Sequence, residues 1–295
     1  MIGYCCINKT LRKDNIYTNR SLIRRTFTIE KASELSLQNV RDLLAILRWN
    51  VDHGIRVFRV SSGIFPRITD DVNGYSIDDL KDSDDIRGCL SKCGDFAVQN
   101  GMILTCHPGP FTVLASTTPS VVHNSIREVE MHVALGKMIY ANHDARFNIN
   151  FHVGCGFSEE AGERFCDAFG RLSDDAKSMI SIENDDKVNG WSIHKLYKHI
   201  HCPLGVPIAF DHHHSEFSRR SDVTIEDEFE LARSTWKGKL MEVHYSESAG
   251  KDKLMRKHAG FISKLIPEFL FDGTYILVEA KEKELAVLRY CECLI

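Results

Sequence analysis

The sequence predicts a (β/α)₈ barrel, an α/β fold of the TIM-barrel type, and three observations lead to this fold class. Short apolar runs alternate with longer amphipathic stretches eight times along the 295 residues. The runs lack the alternation of half-exposed strands, so they suit parallel strands that are covered on both faces. No linker or low-complexity segment interrupts the pattern, so we expect residues 1–295 to form a single barrel domain.

The apolar runs are the predicted strands, at residues 2–7, 55–60, 102–106, 147–151, 179–182, 206–210, 239–243 and 275–278. The predicted helices between them cover residues 37–53, 84–100, 121–141, 159–172, 191–201, 225–234, 258–266 and 282–288. In the first helix, Val40, Leu43 and Leu47 share one face, and Gly54 ends it. The acidic segment 66–85 follows the second strand, so we expect it to reach over the barrel mouth.

The composition is that of an ordinary globular chain, with 43% hydrophobic and 26% charged residues, which excludes a disordered or fibrous protein. The net charge of −4 provides no general basic field, so any site for DNA must be local. No apolar run approaches the roughly 20 residues of a membrane span, and no signal peptide is recognisable. We therefore expect an intracellular protein without a membrane partner, whose ten cysteines are reduced.

The main functional signal lies at the predicted strand ends, where barrels of this type carry their active sites. Six consecutive strands end in an imidazole or a carboxylate: His107, His152, Glu183, Asp211, His244 and Glu279. His214 follows shortly after the sixth strand. Each of these groups comes directly after an apolar run, where an unpaired charge would be costly.

Imidazoles and carboxylates that converge on one barrel mouth predict a cluster of two or three divalent metal ions. Since no cysteine is among them, Mn²⁺, Zn²⁺ and Fe²⁺ all remain open. Such clusters hydrolyse phosphoesters, because one ion activates water while others neutralise the phosphate and the leaving oxygen. They also supply the positive charge that this acidic chain lacks.

Longer sequence blocks resemble the ultraviolet-damage endonucleases over nearly the full chain. The matching blocks are residues 3–4, 18–22, 39–43, 47–55, 58–60, 107–109, 182–185, 236–239 and 278–281. The resemblance implies a barrel related to the apurinic endonuclease IV group, with a three-metal site usually linked to Mn²⁺, although Zn²⁺ or Mg²⁺ would also serve. It further implies incision of damaged double-stranded DNA immediately 5′ of UV photoproducts such as pyrimidine dimers, leaving a 3′-hydroxyl and a 5′-phosphate.

The resemblance also implies roles for individual residues. The implied metal ligands are His107, His152, Glu183, Asp211, His214, His244, His258 and Glu279. Glu183 is the expected bridging carboxylate, and His258 is added by the resemblance alone. The expected catalytic set is Glu183, Glu279, His244, Lys281 and Tyr4, in which Lys281 would meet phosphate and Tyr4 matches a family tyrosine near the active site.

The sequence departs from the family pattern at two places. After His-Pro-Gly the family usually carries Gln-Tyr, a pair thought to probe damaged bases, whereas this chain has Pro110 and Phe111. Phe111 can still stack on unstacked bases, so the departure concerns lesion preference more than cleavage. Two residues before His244 the family can place a carboxylated lysine, whereas here Glu242 offers a carboxylate and is counted among the expected metal ligands. His212 and His213 are expected behind the ligands or on the surface.

Contacts with DNA are expected from residues in loops near the mouth. The candidates for DNA and lesion binding are Asn8, Arg20, Pro110 and Phe111, with Arg24, Arg25, Arg67, Arg219 and Arg220 as further cations. We interpret the chain as a monomeric, metal-dependent DNA repair endonuclease. Three alternatives remain: an abasic-site endonuclease with the same cluster, a sugar isomerase on a metal barrel, and a protein that binds damaged DNA without cutting it.

Overall fold

Eight parallel strands close into a barrel in their chain order, with β1 paired to both β2 and β8. The structure is a computed structural model that describes residues 1–251 and 255–293. The strands are β1 Ile2–Cys5, β2 Val57–Val60, β3 Ile103–Cys106, β4 Asn148–His152, β5 Ile180–Glu183, β6 Ile208–Asp211, β7 Met241–Tyr245 and β8 Thr274–Val278. The predicted fold class and all eight predicted strands are confirmed.

Helices cover the outside of the barrel. They are α1 Lys9–Arg12, α2 Ile29–Asp52, α3 Ser83–Gln99, α4 Pro119–Ile139, α5 Glu159–Gly170, α6 Asp174–Met179, α7 Ile193–Leu196, α8 Cys202–Leu204, α9 His212–Ser218, α10 Ile225–Ser234 and α11 Glu284–Glu292. A π-helical turn, Tyr197–His201, joins α7 to α8. Within the described ranges, no helix combines the length and the apolar composition that crossing a bilayer requires.

Two predicted helices need correction. The helix predicted over residues 258–266 is wrong: His258 forms an isolated β-bridge with Ser248, and the chain then runs irregularly to the 3₁₀ helix Glu268–Phe271. The physical reason is local, because the Glu247 carboxylate accepts from the backbone N–H groups that a helix would have used. Helix α2 begins at Ile29, well before the predicted residue 37. The Thr28 side chain caps its first turn.

The strands separate an apolar outer face from a polar interior. Alternate side chains point to opposite faces, so Tyr4 packs edge-on against Phe58 in the main core outside the sheet. Cys5 points inward and packs with Val57 and Leu277 in a small separate cluster. Around that cluster the barrel interior is polar, and the buried polar side chains there include Arg59, Asn148, Asn150, Ser181 and Glu242. The barrel centre therefore supplies hydrogen-bond partners for the residues above it.

Helices α3 and α4 approach each other most closely at Gly94. A Cβ atom at this position would lie 1.8 Å from the carbonyl oxygen of Ile139, whereas one at Gly88 in the same helix would meet nothing within 4 Å. We expect Gly94→Ala to force the helices apart and to lower the free energy of unfolding by about 1–3 kcal/mol. Gly88→Ala should raise it by about 0.5–1 kcal/mol, since alanine loses less backbone entropy. Urea unfolding measures both, and a Gly94→Ala protein as stable as the wild type would contradict this packing.

Candidate metal centre

The donor side chains meet because the strand register puts them side by side. His152 and Glu183 end β4 and β5 and are direct neighbours, and Asp211 of β6 is paired with His244 of β7 in the same way. His107 follows β3, and Glu279 follows β8. All of these positions fall on the inward alternation of their strands, so their side chains converge at the barrel mouth.

The Glu183 carboxylate lies at the centre of the site and is only 2% exposed. Its Oε2 lies 3.8 Å from Nε2 of His107 and 3.1 Å from Nδ1 of His244. Its Oε1 lies 3.7 Å from Nε2 of His152 and 3.3 Å from Nδ1 of His214. One buried carboxylate thus faces four imidazoles, and Asn150 donates a hydrogen bond that fixes its orientation.

Two groups of donor atoms have the spacing of a metal site. The first consists of His107, His152 and Glu183, and the second of Glu183, Asp211 and His214; the donor atoms within each lie within 4.8 Å of one another. Because Glu183 belongs to both groups, the arrangement suits two ions bridged by this carboxylate. Glu279 extends the site, with Oε1 3.8 Å from Nδ1 of His244 and Oε2 3.9 Å from Nε2 of His258.

Unpaired buried atoms at the centre of the site fit a bound cation. Oδ2 of Asp211 is buried without a hydrogen-bond partner, and it lies 3.8 Å from Nδ1 of His244, which faces Oε2 of Glu183. Such atoms cost free energy unless something else coordinates them. Two further imidazoles are oriented by backbone carbonyls, since Nδ1 of His107 donates to Pro108 and Nδ1 of His214 donates to Asn184. The donor set therefore fits a divalent metal cluster.

The charges within the cluster shift several pKa values. Burial would raise the pKa of Glu183, but the imidazoles of His244 and His152 outweigh it and hold that pKa well below its usual range. Burial alone would lower the pKa of His244, whereas the facing carboxylate of Glu183 raises it to about 10. Burial and the nearby Arg59 lower the pKa of His107 to about 4. The lowered pKa favours the neutral form of His107, which is the form that binds a metal ion, whereas a metal ion bound by His244 would have to displace its proton.

Arg59 of β2 is a central residue that the strand-end argument missed. Its guanidinium is buried; Nη1 donates to Oε1 of Glu279 at 2.6 Å, and Nη2 lies 3.5 Å from Oε1 of Glu242. Arg59 lies below the mouth and is no metal ligand, so a search for ligand types at strand ends passes over it. The available signal was a single arginine between apolar residues of a predicted strand, which requires a buried partner.

Glu242 lies two residues before His244 on the same inward face of β7. The expectation that Glu242 binds metal directly does not fit this geometry. Its Oε1 accepts from Nε2 of His244 at 2.8 Å, whereas the nitrogen that faces Glu183 is Nδ1. Its Oε2 accepts from Nδ2 of Asn148 at 2.7 Å and from the Tyr275 hydroxyl at 3.0 Å. Glu242 thus orients the imidazole from behind, as carboxylates do for metal-binding histidines.

Tyr4 and Asn8 do not reach the site. The Tyr4 hydroxyl is buried against α2, where it donates to Oδ1 of Asn50 at 2.7 Å and accepts from Nδ2 of Asn8 at 3.0 Å. Asn8 is also buried, and its side-chain oxygen accepts from the Leu11 N–H at the start of α1. The expected catalytic role of Tyr4 and the expected DNA contact of Asn8 are both inconsistent with these positions. The reason is strand alternation, which turns Cys5 inward instead of Tyr4.

The expected DNA-binding arginines are mostly engaged within the protein. Arg20 lies over the Tyr17 ring and pairs with Asp42 at 2.7 Å, so its side chain is only 9% exposed and serves the fold rather than DNA. The other arginines also have partners within the protein: Arg24 and Arg67 pair with Asp70, Arg220 pairs with Asp222, and Arg219 donates to the Val223 carbonyl. Arg25 is exposed.

The mouth itself carries the other predicted residues. Phe111 is 88% exposed on the loop after β3, and Pro110 lines a cavity together with His107, Glu279 and Lys281. Asp70 and Asp71 of the acidic segment line a second cavity beside Phe111, so this segment reaches the mouth as expected. The two extra histidines lie behind the ligands: His212 packs on Tyr245, and the ring of His213 lies 5.6 Å from that of His258.

Comparison with known proteins places this chain among named endonucleases. The sequence model of the family described as UV-endonuclease UvdE matches residues 1–295. A UV-damage endonuclease of Schizosaccharomyces pombe is 30% identical over 98% of this chain, and one of Neurospora crassa is 34% identical over 87% of it. The chain spans 50% and 40% of the lengths of these two relatives.

A solved structure shares the fold over almost the whole chain. The crystal structure of SacUVDE matches with a TM-score of 0.86 and 28% identity, covering 99% of this chain and 97% of that one. The two chains therefore share the same overall fold.

The position of Glu242 predicts how metal binding responds to its removal. Glu242→Gln should weaken Mn²⁺ binding by about 10- to 100-fold without changing the number of ions bound, because the charge that orients His244 is lost. The metal-free variant should also lose about 1–3 kcal/mol of stability. Tyr275→Phe is the matched control, since it removes one hydrogen bond to Glu242 but keeps its charge. Calorimetric Mn²⁺ titration measures affinity and stoichiometry together, and loss of one bound ion would instead make Glu242 a ligand.

Proposed function

Because this chain belongs to the UV-endonuclease UvdE family, we propose that it is a metal-dependent DNA repair endonuclease acting on damaged double-stranded DNA. The proposed cut lies immediately 5′ of a UV photoproduct and leaves a 3′-hydroxyl and a 5′-phosphate. The protein would act as a monomer inside the cell, wherever the DNA is held. The observation that carries the proposal is the buried Glu183 carboxylate between four imidazoles at the open end of the barrel.

The donor groups suggest how the metal ions would be shared among the side chains. His107 and His152 would hold one ion with Glu183, and Asp211 and His214 would hold a second with the same carboxylate. The remaining donors, His258 and Glu279, would complete a third site next to His244. We propose Mn²⁺ as the ion, with Zn²⁺ or Mg²⁺ as alternatives. Divalent ions there would supply activated water and positive charge for the scissile phosphate.

The chain's own residues would orient the metal centre and bind the DNA strand. Arg59 balances the charge of Glu279 and keeps this carboxylate directed at the mouth. Lys281 is exposed at the same cavity and is suited to a DNA phosphate. Phe111 projects into solvent, where it can stack on bases whose pairing the lesion has already weakened. An abasic site is the second candidate lesion, because Pro110 and Phe111 provide an apolar surface without the amide of the usual pair.

Incision of an end-labelled duplex with one pyrimidine dimer tests the proposal. We expect a single cut just 5′ of the dimer with Mn²⁺, and none with EDTA or on undamaged DNA. Glu183→Gln should lower the rate by at least about 10²–10³-fold, since the bridging charge is lost. Glu163→Gln, at an exposed site on α5, is the control and should cut normally. Cutting only at an abasic site would show that the abasic site, and not the dimer, is the substrate. No cutting with any metal would refute nuclease activity.

Phe111 should affect lesion recognition without affecting the fold. We expect Phe111→Ala to lower incision at the dimer by roughly 5- to 150-fold, the range that corresponds to about 1–3 kcal/mol for one stacked base. Phe271→Ala removes a half-exposed phenylalanine at the opposite end of the barrel and should leave incision unchanged. Single-turnover incision and thermal unfolding measure the two effects separately. Equal incision rates for both variants would show that Phe111 has no part in lesion recognition.

A further inference from the structure

A cavity of about 410 Å³ opens at the barrel mouth directly beside the metal centre. The donor residues His107, His258 and Glu279 form part of its wall, and Lys281 and Lys283 form another part. Both lysines follow β8, on the short connection to α11. The cavity therefore brings two ammonium groups next to the position where the scissile phosphate would bind.

These two lysines are the cations of the cavity that remain available to a ligand. The third cation in the wall, Arg59, is already bound to Glu279 and Glu242. Among the residues that the structure describes, no carboxylate oxygen lies within 4.0 Å of either lysine ammonium. By contrast, the neighbouring Lys9 is paired with Glu282 at 2.5 Å.

The backbone at Lys283 has a conformation that normally selects glycine. Its φ of 54° and ψ of −124° match the first central position of a type II′ turn, and the turn is closed by the Leu285 N–H donating to the Glu282 carbonyl at 3.0 Å. Strained conformations of this kind cluster at active sites and ligand-binding sites, where the surrounding structure holds them in place. Here the turn makes a lysine side chain part of the cavity wall.

We infer that Lys283, with Lys281 beside it, binds a backbone phosphate of the DNA strand that lies next to the metal centre. The inference rests on the proposed function, because that function supplies the phosphodiester strand. An ammonium on a flexible stem binds phosphate as a point charge and reads no base sequence. Lys283 would thus hold the DNA strand in position. Phe111, across the barrel mouth, would contact the bases.

The chain provides a matched control in Lys237. This residue is an exposed lysine that also has a positive φ, 50°, but it lies in the turn before β7 at the opposite end of the barrel. Replacing either lysine by glycine removes one positive charge and places glycine at a position with a positive φ. Only the change at Lys283 alters the cavity at the mouth.

The experiment measures the affinity of the full chain for an undamaged duplex, with saturating Mn²⁺, over a series of KCl concentrations. We expect Lys283→Gly and Lys283→Gln to weaken binding by about 3- to 10-fold and to lower the slope of log Kd against log[KCl] by about one. Lys283→Arg should restore both values, because it keeps the charge. Lys237→Gly should bind as the wild type does.

Two results would overturn the inference: a wild-type salt slope in both neutral Lys283 variants, or an equal loss of slope in Lys237→Gly. The glutamine variant removes the same charge without introducing glycine, so it distinguishes loss of charge from a folding defect that is specific to the glycine change. Binding to undamaged DNA is independent of incision at a dimer. A wild-type protein that shows the Lys283 effect but never cuts damaged DNA would refute the proposed function alone, whereas cutting with an unchanged slope would refute only the role of Lys283.

Discussion

The structure depends on a charge balance inside the barrel. Arg59, buried within the barrel, binds Glu279 above it and faces Glu242 beside it. Without this cation the interior would hold several buried carboxylates with only imidazoles to offset them, an arrangement that desolvation makes costly. With it, Glu242 can orient His244, and Glu279 is directed toward the mouth. The polar strand interior is thus the support on which the donor cluster is built.

The same arrangement explains why the hydrophobic core lies outside the sheet. Large apolar side chains such as Phe58 and Trp236 pack between strands and helices, and only a small apolar cluster remains inside. Most of the apolar burial that stabilises the fold therefore lies outside the sheet, away from the donor side chains. Unpaired atoms such as Oδ2 of Asp211 are tolerated because the outer core compensates for them, and a bound cation would add stability by mass action.

The sequence was sufficient to predict the barrel, its strands and the donor types at their ends, because each follows from periodicity and from position along a strand. It was insufficient where the direction of a side chain decides its role. Tyr4 and Cys5 are adjacent, and only the register shows that Cys5 faces inward. Glu242 and His244 share a face but lie in different layers. The connection after β7 was predicted as a helix, because nothing local showed that Glu247 would bind its backbone.

The site consists of donor side chains on rigid strands and of further residues on the connections between elements. Donors such as Glu183 and His244 belong to strands whose register fixes the distances between them. Phe111 and Lys283 lie on connections, where substitution leaves the strands intact. The departure from the usual family pair at Pro110 and Phe111 therefore falls on a loop, apart from the donors on the strands. Under the proposed function, the strand ends would carry incision and the loops would carry lesion choice.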